Sequence, residues 1–315
     1  MDPVISIIIP TYNRIDLISQ TLDSVLVQTY QNWECIIIDD GSTDNSVQLI
    51  EKYLKSDSRF SLFSRPDYKK KGPSSCRNLG LLHAIGDFII FLDSDDILAE
   101  FCLERRIRFA LKNQEYDFWI FKMQTFGYDN APTFDYGVGI YKNENEYCRN
   151  EFSEGNHPFV ITCPLWKKNV LLDVNGFNED LVAYEDPELH LRVLEKKYSL
   201  KFANFEKPDC YYRIKEHIEI DINNNLKNNY IFFKNHLNCN DLHSIVYYKK
   251  VINSIVLDRI LICQYFKFYR LGEKEKIFKK GNIYYGLIVL IYHFVKLHKL
   301  KGLGYHYFKT QFNNF

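Results

Sequence analysis

The sequence predicts an α/β protein whose central β-sheet is mostly parallel and carries helices on both faces. Four short runs of β-branched and aromatic residues alternate with three segments whose apolar residues recur at helical spacing. In chain order, these segments are 4–10, 15–28, 33–39, 46–54, 60–64, 74–85 and 88–93. Strands that alternate with helices favour right-handed βαβ crossovers, and these crossovers produce a parallel sheet.

The individual strand segments support a buried sheet. The first, second and fourth runs are apolar almost without interruption, as expected of parallel strands that are covered on both faces. After residue 100 the pattern mixes helix and strand, and beyond the polar stretch at 221–229 it changes to long helical runs such as 242–269. We therefore predict a first domain at 1–222 and a helical, basic region at 223–315.

Composition and charge exclude several classes of protein. Of the 315 residues, 46% are hydrophobic and 25% are charged, which is typical of a folded globular chain. The formal net charge is zero, but residues 266–315 contain ten Lys and Arg against two acids, so the remainder is net acidic. An acidic α/β domain would repel phosphate backbones, and we expect no nucleic-acid partner.

The cysteines and the chain termini predict a cytoplasmic location. The eight cysteines are scattered without a CxxC pair, which is typical of a reducing compartment and argues against a zinc site. The N-terminal segment lacks the basic start and cleavage site of a signal peptide. The apolar stretch at 283–295 is too short to span a bilayer.

Polar residues follow all four predicted strands, at 10–14, 39–44, 65–72 and 93–96. Any one of these segments could be an ordinary turn. In parallel α/β sheets, however, ligands bind outside the carboxyl ends of the strands, so four such segments predict one binding crevice. The crevice is not a dinucleotide or P-loop site, because neither G-x-G-x-x-G nor G-x-x-x-x-G-K-[ST] occurs in the chain.

Three acids at the end of the fourth strand have two interpretations. Asp93 and Asp95 are two positions apart, which places them on the same side of an extended chain. Neighbouring carboxylates suit Mg²⁺ or Mn²⁺, which commonly takes its remaining ligands from water and substrate phosphates. Alternatively, Asp95 or Asp96 caps the helix that follows. Both interpretations can hold together, and the role of Asp96 stays open.

Four motifs follow one another along the chain: "SIIIPTYNR", "IIIDDGSTD", "GPSSCRNLGLLHAIGDFIIFLDSDD" and "GFNEDLVAYEDPELHLRV". Together they resemble the successive signatures of glycosyltransferase family 2, whose members are inverting enzymes of GT-A fold. The resemblance extends from Val4 to about 217. It implies a GT-A nucleotide-diphospho-sugar transferase fold with a C-terminal helical extension, and Mn²⁺ or Mg²⁺ as cofactor.

The resemblance also implies the residues that bind the donor. The first loop would line the nucleotide pocket through Pro10, Thr11, Tyr12 and Arg14. Asp39 would accept a hydrogen bond from the base, which is uracil in many relatives, and Asp40 would support its loop. Arg77 would lie near the pyrophosphate or the sugar. Asp93 would reach the ribose or the metal, and Asp95 would bind the metal directly.

A histidine near the end of the resemblance is a further candidate metal ligand. Relatives often place a histidine after the last core strand, and here His217 lies two residues beyond that place, which Lys215 occupies. His217 is either a metal ligand or an ordinary surface residue. Alternatively, Lys215 binds the diphosphate directly.

A second acidic pair, Glu185 and Asp186, predicts the catalytic residues. From the residues alone, this segment reads as a helix start with Asp186 at the N-cap and Pro187 at the first helical position. The resemblance implies that Asp186 is the general base that deprotonates the acceptor hydroxyl and that Glu185 orients it. Direct displacement with a single base inverts the anomeric centre.

The functional prediction is transfer of a sugar from a UDP-linked donor to a glycan or lipid-linked acceptor in bacterial surface polysaccharide, lipopolysaccharide or capsule synthesis. The alternatives are a nucleotidyltransferase and an inactive sugar-nucleotide or glycan-binding module. The basic, aromatic region 266–315 either lies on anionic lipid at the inner face of the cytoplasmic membrane or packs as a helical bundle. Trp166 either stacks on an acceptor sugar or belongs to the core.

Overall fold

The computed structural model describes residues 2–128, 133–214, 222–237 and 240–257, with a few residues between 267 and 277. The chain divides into two compact units, residues 1–152 with 156–221 and residues 153–155 with the chain from 222 onward. Their assignment as a catalytic domain and an accessory region stays a prediction.

The first unit contains the described strands and most of the described helices. Its strands are β1 (Ile5–Thr11), β2 (Trp33–Asp39), β3 (Phe60–Ser64), β4 (Phe88–Phe91), β5 (Ile97–Leu98), β6 (Phe118–Ile120), β7 (Met123–Phe126), β8 (Asp135–Tyr136), β9 (Pro164–Lys167), β10 (Leu200–Phe202) and β11 (Cys210–Arg213). Its helices are α1 (Ile18–Leu26), α2 (Ser46–Ser56), α3 (Pro73–His83), α4 (Cys102–Lys112), α5 (Glu144–Ser153), α6 (Lys168–Asp173) and α7 (Glu185–Glu195).

The main sheet has seven strands in the order β10-β6-β9-β4-β1-β2-β3. Strands β4, β1, β2 and β3 are parallel neighbours, which confirms the fold class predicted from the sequence. In the register of β1 and β2, Thr11 pairs with Asp39, so these two strands end at the same level. Strand β9 is antiparallel to both of its neighbours, β4 and β6, and it is the exception in this sheet.

A smaller sheet, in the order β5-β11-β7-β8, lies beside the acidic turn that follows β4. Strand β11 pairs antiparallel with β5, with Tyr211 opposite Ile97. Because β5 begins immediately after Asp96, this pairing brings residues 211–214 next to the three acids. Residues more than a hundred positions apart in sequence therefore share one end of the fold.

Tight packing fixes the central strands. All seven residues of β1 are buried, and burying an isoleucine side chain contributes about 1.5–3 kcal/mol. Helix α3 approaches β1 closely at Gly80, where an added Cβ would lie 2.4 Å from Cγ2 of Ile8. The glycine therefore allows α3, and with it Arg77, to lie against the sheet.

Helix α1 begins three residues later than the periodicity predicts. Arg14 accepts hydrogen bonds at its carbonyl from the N–H groups of Leu17 and Ile18, and its own N–H donates to Oγ of Ser46 at 2.8 Å. This local turn holds residues 12–17 as a loop at the edge of the sheet, where they are available to a ligand.

The second unit contains α8 (Ile222–His236) and α9 (Leu242–Leu257). The ring of Phe233 on α8 packs against Tyr247 and Tyr248 of α9, with both centroid distances 5.1 Å. Among the described residues, no helix is both long and apolar enough to cross a membrane. Most of 266–315, including all of 281–315, lies outside the described residues, so its interfacial interpretation stays a prediction.

Candidate active site

A cavity of about 700 Å³ lies at the carboxyl ends of β1, β2 and β4. This is the edge of the sheet that the polar strand ends predicted, and residues of β11 in the smaller sheet also form part of the wall. The predicted site residues in this wall are Pro10, Thr11, Tyr12, Arg14, Asp40, Arg77, Asp93, Asp95 and Glu185. A larger depression at the amino-terminal edge of the strands, beside Asn32, Asp87 and Lys168, contains none of the predicted site residues.

Arg77 is the centre of the acidic cluster at this cavity. Its side chain is only 3% exposed, and its Nη2 donates to Oδ1 of Asp93 at 2.6 Å. Its Nη1 lies 3.3 Å from Oε1 of Glu185 and 3.5 Å from Oδ1 of Asp186. Burial alone would lower the pKa of Arg77, but the charges of Asp93, Asp186 and Glu185 raise it above its ordinary value. The arginine therefore stays charged and holds three acids together.

Glu185 and Asp186 are the first two residues of α7, so the predicted capping position of Asp186 was wrong. Tyr184 occupies the N-cap with a left-handed φ of 65°, and Pro187 is the third helical residue instead of the first. The helix starts earlier because Tyr184 turns the chain into it. Both carboxylates lie in the first turn, where the helix dipole favours negative charge.

Asp186 has the electrostatic properties of a base that titrates near neutrality. Burial is the main cause that raises the pKa of its carboxyl group to about 8; Arg77 and the backbone N–H of Ile161 oppose this rise, whereas the charges of Glu185 and Asp93 add to it. A carboxylate with a pKa near the working pH is well matched to proton abstraction. Its side chain remains 22% exposed, so a substrate can reach it.

Asp96 does not cap the helix that follows, which was one of the two sequence interpretations. Helix α4 begins at Cys102 with Phe101 as its N-cap and no side-chain hydrogen bond. Asp96 is instead fully buried; its N–H donates to the carbonyl of Asp93 at 3.0 Å, and its Oδ1 accepts the N–H of Arg213 at 2.9 Å. Burial first, and then the charge of Asp93, raises the pKa of Asp96 well above its usual value.

Two residues of β11 that had no predicted role contact the acidic turn. Nε of Arg213 donates to the carbonyl of Asp95 at 2.9 Å, and Nη2 donates to Oε1 of Gln20 at 2.8 Å. Tyr212 lines the cavity, where burial and the charges of Asp96, Asp93 and Asp95 raise its pKa to about 12. The family resemblance ends near these residues, but only the pairing of β11 with β5 shows what they contact.

The first loop contributes a cation and an aromatic ring to the cavity. Nε of Arg14 lies 3.7 Å from Oδ2 of Asp95, and its Nη1 donates to the carbonyls of Tyr12 and Asn13. Nζ of Lys71 lies 3.6 Å from the ring centroid of Tyr12. Tyr12 and Lys71 therefore form one wall of the cavity.

The two neighbouring acids after β2 have different surroundings. Oδ2 of Asp39 accepts the N–H groups of Gly41 at 3.0 Å and Ser42 at 3.1 Å, so its carboxylate closes the turn. Asp40 lies in the cavity wall and forms an ion pair with Arg65, which sequence reasoning did not single out. Asp40 therefore lines the cavity, whereas the carboxylate of Asp39 is bonded within its own loop.

The chemistry of Asp93 and Asp95 fits a divalent ion. Both carboxylates line the cavity, and hard oxygen ligands of this type suit Mg²⁺ or Mn²⁺ bound together with phosphate oxygens. Within the part of the chain that the structure describes, no three His, Cys, Asp or Glu side chains form a metal-binding cluster. His217 and Lys215 lie outside the described residues, so their interpretation stays a prediction.

Two residues near the cavity belong to the core. Trp166 on β9 is fully buried and stacks on Phe118 with ring centroids 4.3 Å apart, so it cannot stack on an acceptor sugar. Cys76 is buried beside Arg77.

Comparison with known proteins identifies the family. Residues 6–171, more than half of the chain, match the model of the glycosyl transferase family 2. The glucosyltransferase WfaP of Escherichia coli is 33% identical over 220 residues, covering 67% of this chain and 77% of WfaP. An uncharacterized glycosyltransferase of Haemophilus influenzae is 48% identical over 111 residues, covering 35% of this chain and 44% of that protein.

The chain belongs to glycosyl transferase family 2, as the four motifs predicted. The structure of S. aureus TarS 1-349 in complex with UDP-GlcNAc matches with a TM-score of 0.59 and 19% identity, covering 84% of this chain and 79% of that one. That likeness concerns the fold alone, and it confirms the predicted GT-A architecture. The matched region spans less than half the length of the H. influenzae relative.

Proposed function

We propose that this protein is an inverting glycosyltransferase that moves a sugar from a UDP-linked donor to a hydroxyl group of a glycan or lipid-linked acceptor. The observation that carries the proposal is the Arg77 cluster. One buried guanidinium holds the candidate base, Asp186, beside the candidate donor-binding acid, Asp93. A displacement reaction needs its base and its leaving group on either side of one reacting carbon, and a base held near a donor-binding acid supports such an arrangement.

The chemical step is a single displacement. The acceptor oxygen attacks the anomeric carbon while the carboxylate of Asp186 takes the hydroxyl proton, and the bond between that carbon and the β-phosphate oxygen breaks. The nucleoside diphosphate leaves with the bonding electron pair. No enzyme nucleophile takes part, and one displacement inverts the anomeric centre. Glu185, paired with Arg77, keeps the first turn of α7 oriented toward the cluster.

Charge on the departing diphosphate requires compensation. Asp93 and Asp95 would hold Mn²⁺ or Mg²⁺, which supplies Lewis-acid stabilisation of the leaving group when bound. Arg14, loosely paired with Asp95, adds a fixed positive charge on the same side of the cavity. Such charges stabilise the transition state more than the ground state, because negative charge grows on the diphosphate as the bond breaks.

We place the nucleotide base in the part of the cavity that lies between the ends of β1 and β2. Asp40 is the acid in this wall, and its ion pair with Arg65 fixes the direction of its carboxylate. A carboxylate can accept the imide N–H of uracil, and the guanidinium can donate to a base carbonyl. We assign base recognition to Asp40, with Asp39 shaping the loop.

The biological setting is inferred from the relatives. WfaP is named as a UDP-Glc:alpha-D-GlcNAc-diphosphoundecaprenol beta-1,3-glucosyltransferase, and a lipid-linked acceptor of that class would suit synthesis of a bacterial surface polysaccharide. A cytoplasmic protein that meets the inner face of the membrane through its basic C-terminal region would have access to such an acceptor.

A donor panel tests this function. Turnover of UDP-, GDP- and dTDP-sugars is measured with Mn²⁺ or Mg²⁺ and an undecaprenyl-diphosphate-linked acceptor. We expect Asp95→Ala to abolish transfer, and Asp186→Asn to bind the donor but not to transfer sugar. Asp16→Asn, at an exposed acid outside the cavity wall, is the matched control. Normal transfer by Asp186→Asn would show that the assigned base is wrong.

A further inference from the structure

Among the residues that the structure describes, four basic side chains line the cavity, and protein groups hold three of them. Arg77 is held by three carboxylates, Arg14 by Asp95 and two carbonyls, and Arg213 by the carbonyl of Asp95 and by Gln20. Lys71 differs from these: among the described residues, its ammonium has neither a hydrogen bond nor an ion pair, and it lies over the ring of Tyr12. Lys71 is thus a cavity cation whose charge is available to a ligand.

The backbone on either side of Lys71 is anchored, although its own side chain is not. Lys69 forms an ion pair with Glu179 at 3.1 Å, and Lys70 pairs with Asp180. On the other side, Gly72 has a φ of 137°, a conformation that favours glycine, and α3 starts at the next residue. The loop therefore keeps Lys71 at the cavity while its long side chain can change direction.

The present partner of Lys71 is weaker than the one a donor would offer. An ammonium over an exposed tyrosine ring gains only a modest cation–π attraction. A hydrogen bond from the same ammonium to a phosphate oxygen is charge-assisted and stronger. A nucleoside diphosphate also brings negative charge to a cavity that already holds Asp40, Asp93, Asp95 and Glu185, so it needs every available cation.

We propose that Lys71 leaves the face of Tyr12 when the donor enters and binds the diphosphate of the nucleoside diphosphate. This inference rests on the proposed function, since it concerns the same donor. It assigns Lys71 a binding role that also frees one face of the Tyr12 ring for a planar group.

Calorimetric titration of the full chain, with Mn²⁺ present, tests the assignment. UDP is compared with uridine, which has the same base and ribose but no phosphate. For Lys71→Met we expect UDP to bind roughly tenfold or more weakly, because a charge-assisted hydrogen bond is lost, and uridine to bind within about twofold of the wild type. Lys71→Arg should recover most of the UDP affinity, since a guanidinium also donates to phosphate.

The neighbouring Lys70 provides the control. Its side chain is 61% exposed and pairs with Asp180, outside the cavity wall, so Lys70→Met should bind both probes as the wild type does. Equal weakening of UDP and uridine by Lys71→Met would mean that Lys71 acts only through Tyr12 and the base, and unchanged UDP binding would remove it from the site. Either result overturns the inference.

The proposed function can fail separately from this inference. If the wild type bound none of UDP, GDP and dTDP and transferred no sugar, the glycosyltransferase assignment itself would fail. If the wild type bound UDP and transferred sugar, but Lys71→Met bound UDP equally well, only the role of Lys71 would be wrong.

Discussion

Nη2 of Arg77 and Oδ1 of Asp93 lie 2.6 Å apart, and the arginine side chain is only 3% exposed. The pair joins α3 to the end of β4 in the cavity wall. Glu185 and Asp186 reach the same guanidinium from α7. One buried cation therefore links α3 and the end of β4 to α7, which lies about a hundred positions further along the chain.

Removing this cation should destabilise the protein strongly. Arg77→Met leaves three carboxylates close together without a counter-charge, and we expect the free energy of unfolding to fall by about 3–5 kcal/mol. Urea denaturation in the presence of EDTA measures the change. Arg108→Met breaks an exposed pair with Glu104, in which the arginine is 73% exposed, and should change stability by less than about 1 kcal/mol. Equal losses in the two variants would contradict a central role for Arg77.

The rate of transfer should depend on pH through Asp186. Its pKa is raised to about 8, and a base must be deprotonated to act, so kcat/KM should fall by about tenfold for each pH unit below 8. Glu185→Gln removes a neighbouring negative charge that raises this pKa, so the midpoint should move to lower pH. A flat profile between pH 6 and 9, or a midpoint that moves upward in Glu185→Gln, would exclude Asp186 as the titrating base.

Asp39 and Asp40 should give different phenotypes. Asp39→Ala removes the acceptor of two turn N–H groups and should lower the free energy of unfolding by about 1–3 kcal/mol. Asp40→Asn keeps an oxygen that Arg65 can reach but replaces the other acceptor oxygen with an amide donor. We therefore expect altered selectivity between uridine and cytidine. Calorimetric binding and thermal unfolding separate these effects. Loss of base selectivity in Asp39→Ala, with Asp40→Asn unaffected, would reverse the assignment.

Asp96 and Arg213 should position Asp95 without binding the metal themselves. Asp96→Asn preserves an oxygen that accepts the N–H of Arg213, so activity should stay within about threefold of the wild type, whereas Asp95→Asn should lose it. Arg213→Gln removes the donor to the carbonyl of Asp95 and should weaken Mn²⁺ binding by roughly tenfold. A transfer assay measures the activity of the two aspartate variants, and titration with Mn²⁺ measures metal binding in all three variants. If Asp96→Asn bound Mn²⁺ as poorly as Asp95→Asn, Asp96 would be a ligand.

The buried His190 should make stability depend on pH below neutrality. Its ring lies between Phe159, at 4.5 Å, and Trp166, at 5.7 Å, and burial holds its pKa well below the ordinary value. The unfolded chain binds a proton at this residue below about pH 6.5, whereas the folded chain does not. The stability is therefore full above that pH and falls as the pH decreases, by up to about 1.4 kcal/mol per unit.

A matched pair of variants tests the contribution of His190. His190→Phe fills the aromatic cluster without a titrating group, so the slope of unfolding free energy against pH between 5 and 6.5 should become shallower. His83→Phe, at an exposed residue, should leave the slope unchanged. Identical slopes in both variants would show that His190 does not remain neutral in the folded protein.

The parts of the fold that could be predicted are those encoded locally. Each of the four first strands is a short apolar run that its own residues define, and their parallel order follows from the intervening helices. The polar residues at their ends were therefore placed correctly at one edge. The identity of Asp93 and Asp95 as cavity residues follows from the same local pattern.

The remaining features depend on contacts between distant segments. Strand β9 lies antiparallel between β4 and β6, and its buried Trp166 packs on Phe118. No local periodicity indicates this position. Arg213 meets Asp95 only because β11 pairs with β5. Two adjacent acids such as Asp39 and Asp40 look equivalent in sequence, and only the course of the turn shows which one faces the cavity.

The left-handed backbone at Tyr184 has a consequence for protein engineering. A tyrosine in this conformation costs about 1–2 kcal/mol relative to an ordinary backbone, and a glycine would not bear that cost. The strained residue comes immediately before Glu185 and Asp186, where the backbone must present the acids at a fixed angle. Tyr184→Gly would relieve the strain but would make the backbone before the two acids more flexible. Selection for heat resistance would therefore favour glycine at this position, and selection for turnover would favour tyrosine.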